Sequence, residues 1–183
     1  MAPRPRRGAG YARAYETQRT AYRDLRAKLE PRRTGPRIRV GGLSRQRSGA
    51  VEDFPVTRGS TTLKVELKAA EAWSELADGS RQYSWGGHGV SAAPLAISRQ
   101  LKRSGAHVLV LTFPEPDLAP VAIGPANQQA LWYFVIDVRS LPRSKWTHLQ
   151  VKLLHRTKAD VQRLFGVEPT QDLKTAFAAL FDG

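Results

Sequence analysis

The feature that most constrains the fold is the run AHVLVLTF at residues 106–113, in which Val108, Leu109, Val110 and Leu111 follow one another with no polar break. A strand with one wet face alternates apolar and polar residues. An unbroken β-branched and leucine run reads instead as a strand covered on both faces. Such a strand needs helices above and below its sheet, so the chain is expected to be layered, of the α/β class, around a mixed central sheet. Pro114, Pro116 and Pro120 end the run, and ALWYFVIDV at 130–138 supplies a second strand of aromatic and β-branched residues. Ahead of the run, residues 91–104 predict a helix with Leu95, Ile97 and Leu101 on its apolar side and Pro94 in its first turn.

Upstream, residues 12–29 space Tyr15, Tyr22, Leu25 and Leu29 as a helix does, and Pro31 stops it. PRIRV at 36–40 reads as a short strand and residues 41–49 as a basic Ser/Gly loop. AVEDFPVT and TTLKVELKA then form a hairpin about Arg58-Gly59-Ser60. The order is α, β, β, β, α, β, β. Residues 69–90 read as a polar, Gly-rich insertion, and THLQVKLLHR as a short strand or helix. Two helices follow around Gly166 and Pro169, the first capped by Thr157. Three regions are expected: a basic arm at 1–11, an α/β core at 12–140 and a C-terminal helical appendage at 141–183.

Charge selects the partner class. The 183 residues carry 29 Lys+Arg against 16 Asp+Glu, a net +13, and residues 1–48 hold fourteen of those cations, thirteen of them Arg, against three acids. An arginine-rich arm suits phosphates, so nucleic acid is the expected partner. With no cysteine, a disulfide framework and a thiolate zinc site are both excluded. No apolar run approaches the roughly 18–20 residues of a membrane span, so no membrane association and a cytoplasmic location are expected. Trp73, Tyr83 and Trp85 interleave with Arg81 and His88; they either stack on unpaired bases or pack against the sheet.

One constellation offers chemistry. Glu66 and Lys68 lie two apart on a strand, on one face, and the hairpin brings Asp53 to the neighbouring strand. Two carboxylates and waters satisfy Mg²⁺, and an ammonium beside the cation orients a water and offsets charge on a phosphoryl transition state. The plainer reading of the same pattern is a solvated strand face with weak ion pairs.

Asp53 followed by Glu66-Leu67-Lys68 resembles the PD-(D/E)XK nuclease superfamily, and the layout over residues 12–138 is most similar to the archaeal-type Holliday junction resolvases. Those place a glutamate on a leading helix, then a strand, a flexible Ser/Gly loop, the hairpin with Asp and Glu-X-Lys, a helix and a strand. The resemblance implies a restriction-endonuclease-like core and a homodimeric endonuclease, dependent on Mg²⁺ or Mn²⁺, that cuts branched DNA in recombination. Asp53 and Glu66 would hold the metal, Lys68 would position the water, and Glu16 would be the helix glutamate. One departure is that Glu52, not proline, precedes Asp53, with the proline at Pro55, which leaves Glu52 and Asp53 as alternative ligands. DNA contacts are expected from Arg4, Arg6, Arg7 and Arg13 on the arm, from Ser44, Arg45, Arg47 and Ser48 on the loop, and from Arg81. The alternative function is a non-catalytic nucleic-acid-binding or ribonucleoprotein component.

Overall fold

The computed structural model describes residues 9–30, 37–44, 53–85, 101–102, 104–114, 131–142 and 153–183. Along the chain these form α1 (Ala9–Leu29), β1 (Ile38–Val40), β2 (Phe54–Arg58), β3 (Thr61–Glu75), β4 (Arg81–Trp85), β5 (Val108–Pro114), β6 (Leu131–Asp137), β7 (Leu153–Thr157), α2 (Lys158–Phe165) and α3 (Leu173–Asp182). Leu101, Lys102 and Ser104 are helical and lead into Gly105 at φ +62°, where the expected preceding helix should end.

The sheet is mixed. β1, β2 and β3 form an antiparallel meander, with Phe54 opposite Val65 and Arg58 opposite Thr61 across the turn at Gly59. The first part of β3 runs parallel to β5, Val65 beside Val108 through Ala69 beside Thr112, and β5 pairs antiparallel with β6. Beyond Ala69, β3 takes β4 as its partner, and β4 in turn pairs with β7.

Every residue of β5 is buried, as its unbroken apolar run predicts. Val108 and Val110 enter a core with Leu63, Val65 and Leu67 of β3, Tyr22, Leu25 and Leu29 of α1, and Leu173 and Phe177 of α3. Leu109, Leu111 and Phe113 enter a second core with Phe134 and Ile136 of β6, Leu101, and Val161 and Phe165 of α2.

Polar clamps fix α1 on the sheet. Its Tyr22 hydroxyl donates to the Gly41 carbonyl at 2.6 Å, and Glu30 accepts from the Val40 amide at 2.8 Å. The Lys28 ammonium lies 2.8 Å from the buried Asp24 carboxylate and 3.2 Å from the Leu131 carbonyl, while the Tyr133 hydroxyl of β6 also donates to Asp24. Gly41 is needed for the close approach, because a Cβ there would lie 2.5 Å from the Pro55 ring.

Three expectations need correction. The polar insertion at 69–90 continues the sheet through Trp85: β3 extends to Glu75, turns through Gly79 at φ +79°, and returns as β4. Tyr83 and Trp85 are buried among Phe113 and Phe134, with the Trp85 indole N–H donating to the Thr112 carbonyl at 2.8 Å. Packing against the sheet, not base stacking, is therefore their role. The C-terminal residues are not an appendage either, since β7 is a strand of the sheet, Tyr133 and Thr170 bridge, and Val161, Phe165, Leu173 and Phe177 complete the two cores. The helix expected from residue 12 begins at Ala9.

Candidate active site

β2 begins at Phe54, whereas β3 runs on beyond the residue that Phe54 faces. The Leu67 peptide group is therefore completed by side chains. Its N–H donates to Asp53 Oδ2 at 2.7 Å, and its carbonyl accepts from Gln18 Nε2 at 3.3 Å. Asp53 is itself held by its backbone, N–H to the Val65 carbonyl at 3.0 Å and C=O to the Ser44 amide at 2.6 Å. The site thus forms where a strand begins, with Gln18 of the helix and Ser44 against it.

Strand alternation sends Val65, Leu67 and Ala69 into the core under α1 and turns Glu66 and Lys68 to the opposite face, level with Leu109 and Leu111 of β5. Neither is a solvated surface residue. Glu66 is 4% exposed, and its Oε1 lies 2.7 Å from Lys68 Nζ. A buried ion pair of this kind adds little net stability, since desolvating both charges offsets their attraction. Its presence at the centre of the sheet calls for a chemical reason.

The electrostatics tie Asp53 to that pair. Burial of its carboxylate, followed by the nearby Glu66 carboxylate, pushes the Asp53 pKa up to about 6. The Lys68 ammonium, the Leu67 N–H and a hydrogen bond from the Gln18 amide pull the other way without cancelling the rise. A divalent cation at these carboxylates would offset both causes of the rise. Among the described residues no three His, Cys, Asp or Glu side chains converge. A donor set of two carboxylates fits Mg²⁺, which takes one or two carboxylates and keeps several waters, better than a cation that needs a full protein cage.

Of the four expected catalytic residues, Asp53, Glu66 and Lys68 come together and Glu16 does not. The Glu16 side chain is 63% exposed and pairs with Arg19 at 3.6 Å. Gln18 reaches the site in its place, because two residues along a helix is a rotation of about 200°. Sequence carried a signal for Gln18: it lies four, seven and eleven residues before Tyr22, Leu25 and Leu29, a polar residue continuing the buried stripe of α1. Glu52 lies outside the described residues.

Among the expected DNA contacts, Ser44 lies beside the site through its amide bond to Asp53. Arg81 stands opposite Glu75, seven residues along β3 from Lys68 and so roughly 20 Å away. Arg4, Arg6, Arg7, Arg45, Arg47 and Ser48 lie outside the described residues, as does the side chain of Arg13. No membrane-crossing helix occurs among the described residues. Compared with models of protein families, with curated proteins and with solved structures, the chain matches none.

Proposed function

We propose that the protein is a Mg²⁺-dependent endonuclease that hydrolyses phosphodiester bonds in branched or structured DNA, in the manner of the Holliday junction resolvases its Asp53 and Glu66-Leu67-Lys68 pattern resembles. The observation that carries this reading is the convergence of the buried Glu66 carboxylate with the partly buried Asp53 carboxylate and Lys68 ammonium beside the start of β2, with Asp53 pushed up to about 6. Charges gathered at such a cost to stability mark functional sites.

Asp53 and Glu66 are the residues that would hold the cation. When bound, Mg²⁺ supplies positive charge at a phosphoryl oxygen and lowers the pKa of a water towards neutrality. Lys68, fixed by Glu66 at 2.7 Å, aims an ammonium at the same place, where it orients the attacking water and offsets charge as the phosphorus becomes pentavalent. Asp53 is held rigidly by the Leu67 and Ser44 amides and so needs little rearrangement to serve. Exposed Arg23, Arg37 and Arg39, three of the fourteen cations of the first 48 residues, supply attraction for a phosphate backbone. A dimer, as the resemblance implies, would present two such sites to the two symmetric strands of a junction.

The same charge supports a second reading, a nucleic-acid-binding protein without hydrolysis. Incubating purified protein with four-way-junction, duplex and single-stranded DNA in Mg²⁺, in Mn²⁺ and in chelator separates the two. The nuclease reading predicts cation-dependent nicking, strongest on the junction; binding to all three substrates with no nicking in either cation contradicts it.

A further inference from the structure

The Gln18 amide stands between two oxygens of the site. Its Nε2 lies 3.3 Å from the Leu67 carbonyl oxygen, and the same amide is close enough to the Asp53 carboxylate to draw its pKa down. Asp53 in turn accepts from the N–H of the same Leu67 at 2.7 Å. One NH₂ group thus meets the Leu67 carbonyl directly and lies beside the Asp53 carboxylate, which the N–H of the same residue holds, so a peptide carbonyl and a carboxylate share one neighbour at this point. A hard divalent cation makes the same demand on its surroundings, since it gathers carboxylate and carbonyl oxygens. An NH₂ and a cation cannot share that point.

We infer that Gln18 is an internal competitor for the cation: its amide fills the place between the Asp53 carboxylate and the Leu67 carbonyl, and a cation binds there only by displacing it. The inference rests on the reading of Asp53 and Glu66 as cation ligands and adds a device that sets how tightly the cation is held. Gln18 suits that task. Its side chain is partly buried on α1, in line with the stripe anchored by Tyr22, Leu25 and Leu29, so its backbone is fixed. Three side-chain torsions still let the amide turn or withdraw. An amide is also neutral, so it occupies the site without the charge attraction that would make displacement prohibitive. A glutamate in its place would add a ligand where this chain has a competitor.

The test is Mn²⁺ affinity of the full chain, measured by electron paramagnetic resonance of free Mn²⁺, for the wild type, Gln18→Met, Gln18→Ala and Asp53→Asn. Methionine keeps the length and packing of the side chain and removes both donors. Each competing hydrogen bond is weak, so Gln18→Met is expected to bind Mn²⁺ about three- to tenfold more tightly than the wild type, with Gln18→Ala following it. A second readout is the side-chain NH₂ of Gln18 in ¹⁵N–¹H correlation spectra, which should shift as Mg²⁺ saturates the wild type and stay still in Asp53→Asn.

If Asp53→Asn weakens Mn²⁺ binding while Gln18→Met leaves it unchanged or weaker, the competitor is ruled out and the cation site stands. Where the wild type binds no Mn²⁺, or Asp53→Asn binds as well as the wild type, the cation site falls and the competitor with it. An immobile Gln18 NH₂ signal during Mg²⁺ saturation also overturns the competitor.

Discussion

Asp53 illustrates how a single residue sets conditions for the whole site. Its folded-state pKa of about 6 stands above the ordinary 3.8, so between those values the folded chain holds a proton that the unfolded chain has released. Stability therefore falls as pH rises through this window, because the unfolded state binds fewer protons there. Asn at position 53 has no such dependence. Urea unfolding in chelator should find Asp53→Asn and the wild type similarly placed relative to each other at pH 4. By pH 7.5 the wild type should have lost about 3 kcal/mol relative to the variant; a difference that does not change with pH would show that Asp53 is not destabilised by its surroundings. Glu66 and Lys68 make a complementary case. Lys68→Met leaves a buried carboxylate without its ammonium and should cost about 3 kcal/mol, whereas the double variant Glu66→Leu, Lys68→Met should unfold at or above the wild-type urea midpoint. Recovery of stability with no recovery of cleavage would mark the pair as functional; a double variant no more stable than Lys68→Met contradicts that view.

Among the elements, α1 and β3 carry the site. β3 brings Glu66 and Lys68, and α1 brings Gln18, held in register by the Asp24, Lys28 and Tyr133 clamp. Asp24→Ala strands an ammonium and a buried hydroxyl together, and should cost about 2–4 kcal/mol in urea unfolding; a loss below roughly 0.5 kcal/mol, the size of an exposed ion pair, would show the clamp to be superficial. The β2–β3 hairpin, the β5 run and the Thr157 cap were legible because each is local: turn residues, an unbroken apolar run, and a hydroxyl ahead of a helix, here completed by Asp160 as a capping box. What escaped is non-local. β4 was hidden because RQYSW is short, carries only two apolar residues and sits between the polar and Gly-rich runs ADGS and GGHG, while its value lies in burying Tyr83 and Trp85 against β5 and β6. Glu16 was assigned by residue type, while the rotation of α1 that selects Gln18 depends on which stripe the sheet buries.

For the whole molecule, charge and architecture divide the labour. The sheet and its helices hold a partly buried cluster of Asp53, Glu66 and Lys68 with one carboxylate in excess, while the net +13 lies mainly in the first 48 residues. Removing residues 1–8, which precede α1, takes away Arg4, Arg6 and Arg7 and leaves the folded elements whole. DNA affinity plotted against salt on logarithmic axes should then lose about 3 units of slope; an unchanged slope would mean that the arm does not track phosphates. That measurement speaks to binding alone.

In the proposed nuclease, Asp53 ahead of β2 and Glu66 and Lys68 on β3 together cut DNA. The most direct measurement of this is single-turnover cleavage of a labelled four-way junction in Mg²⁺ by the wild type, Asp53→Asn, Glu66→Gln and Lys68→Met, with junction binding recorded on the same preparations. Cleavage by the wild type is expected, with a loss of at least about a hundredfold in each variant and junction affinities within about threefold of one another. Cleavage that survives Glu66→Gln, or a wild type that binds the junction in Mg²⁺ and leaves it intact, would contradict the proposal.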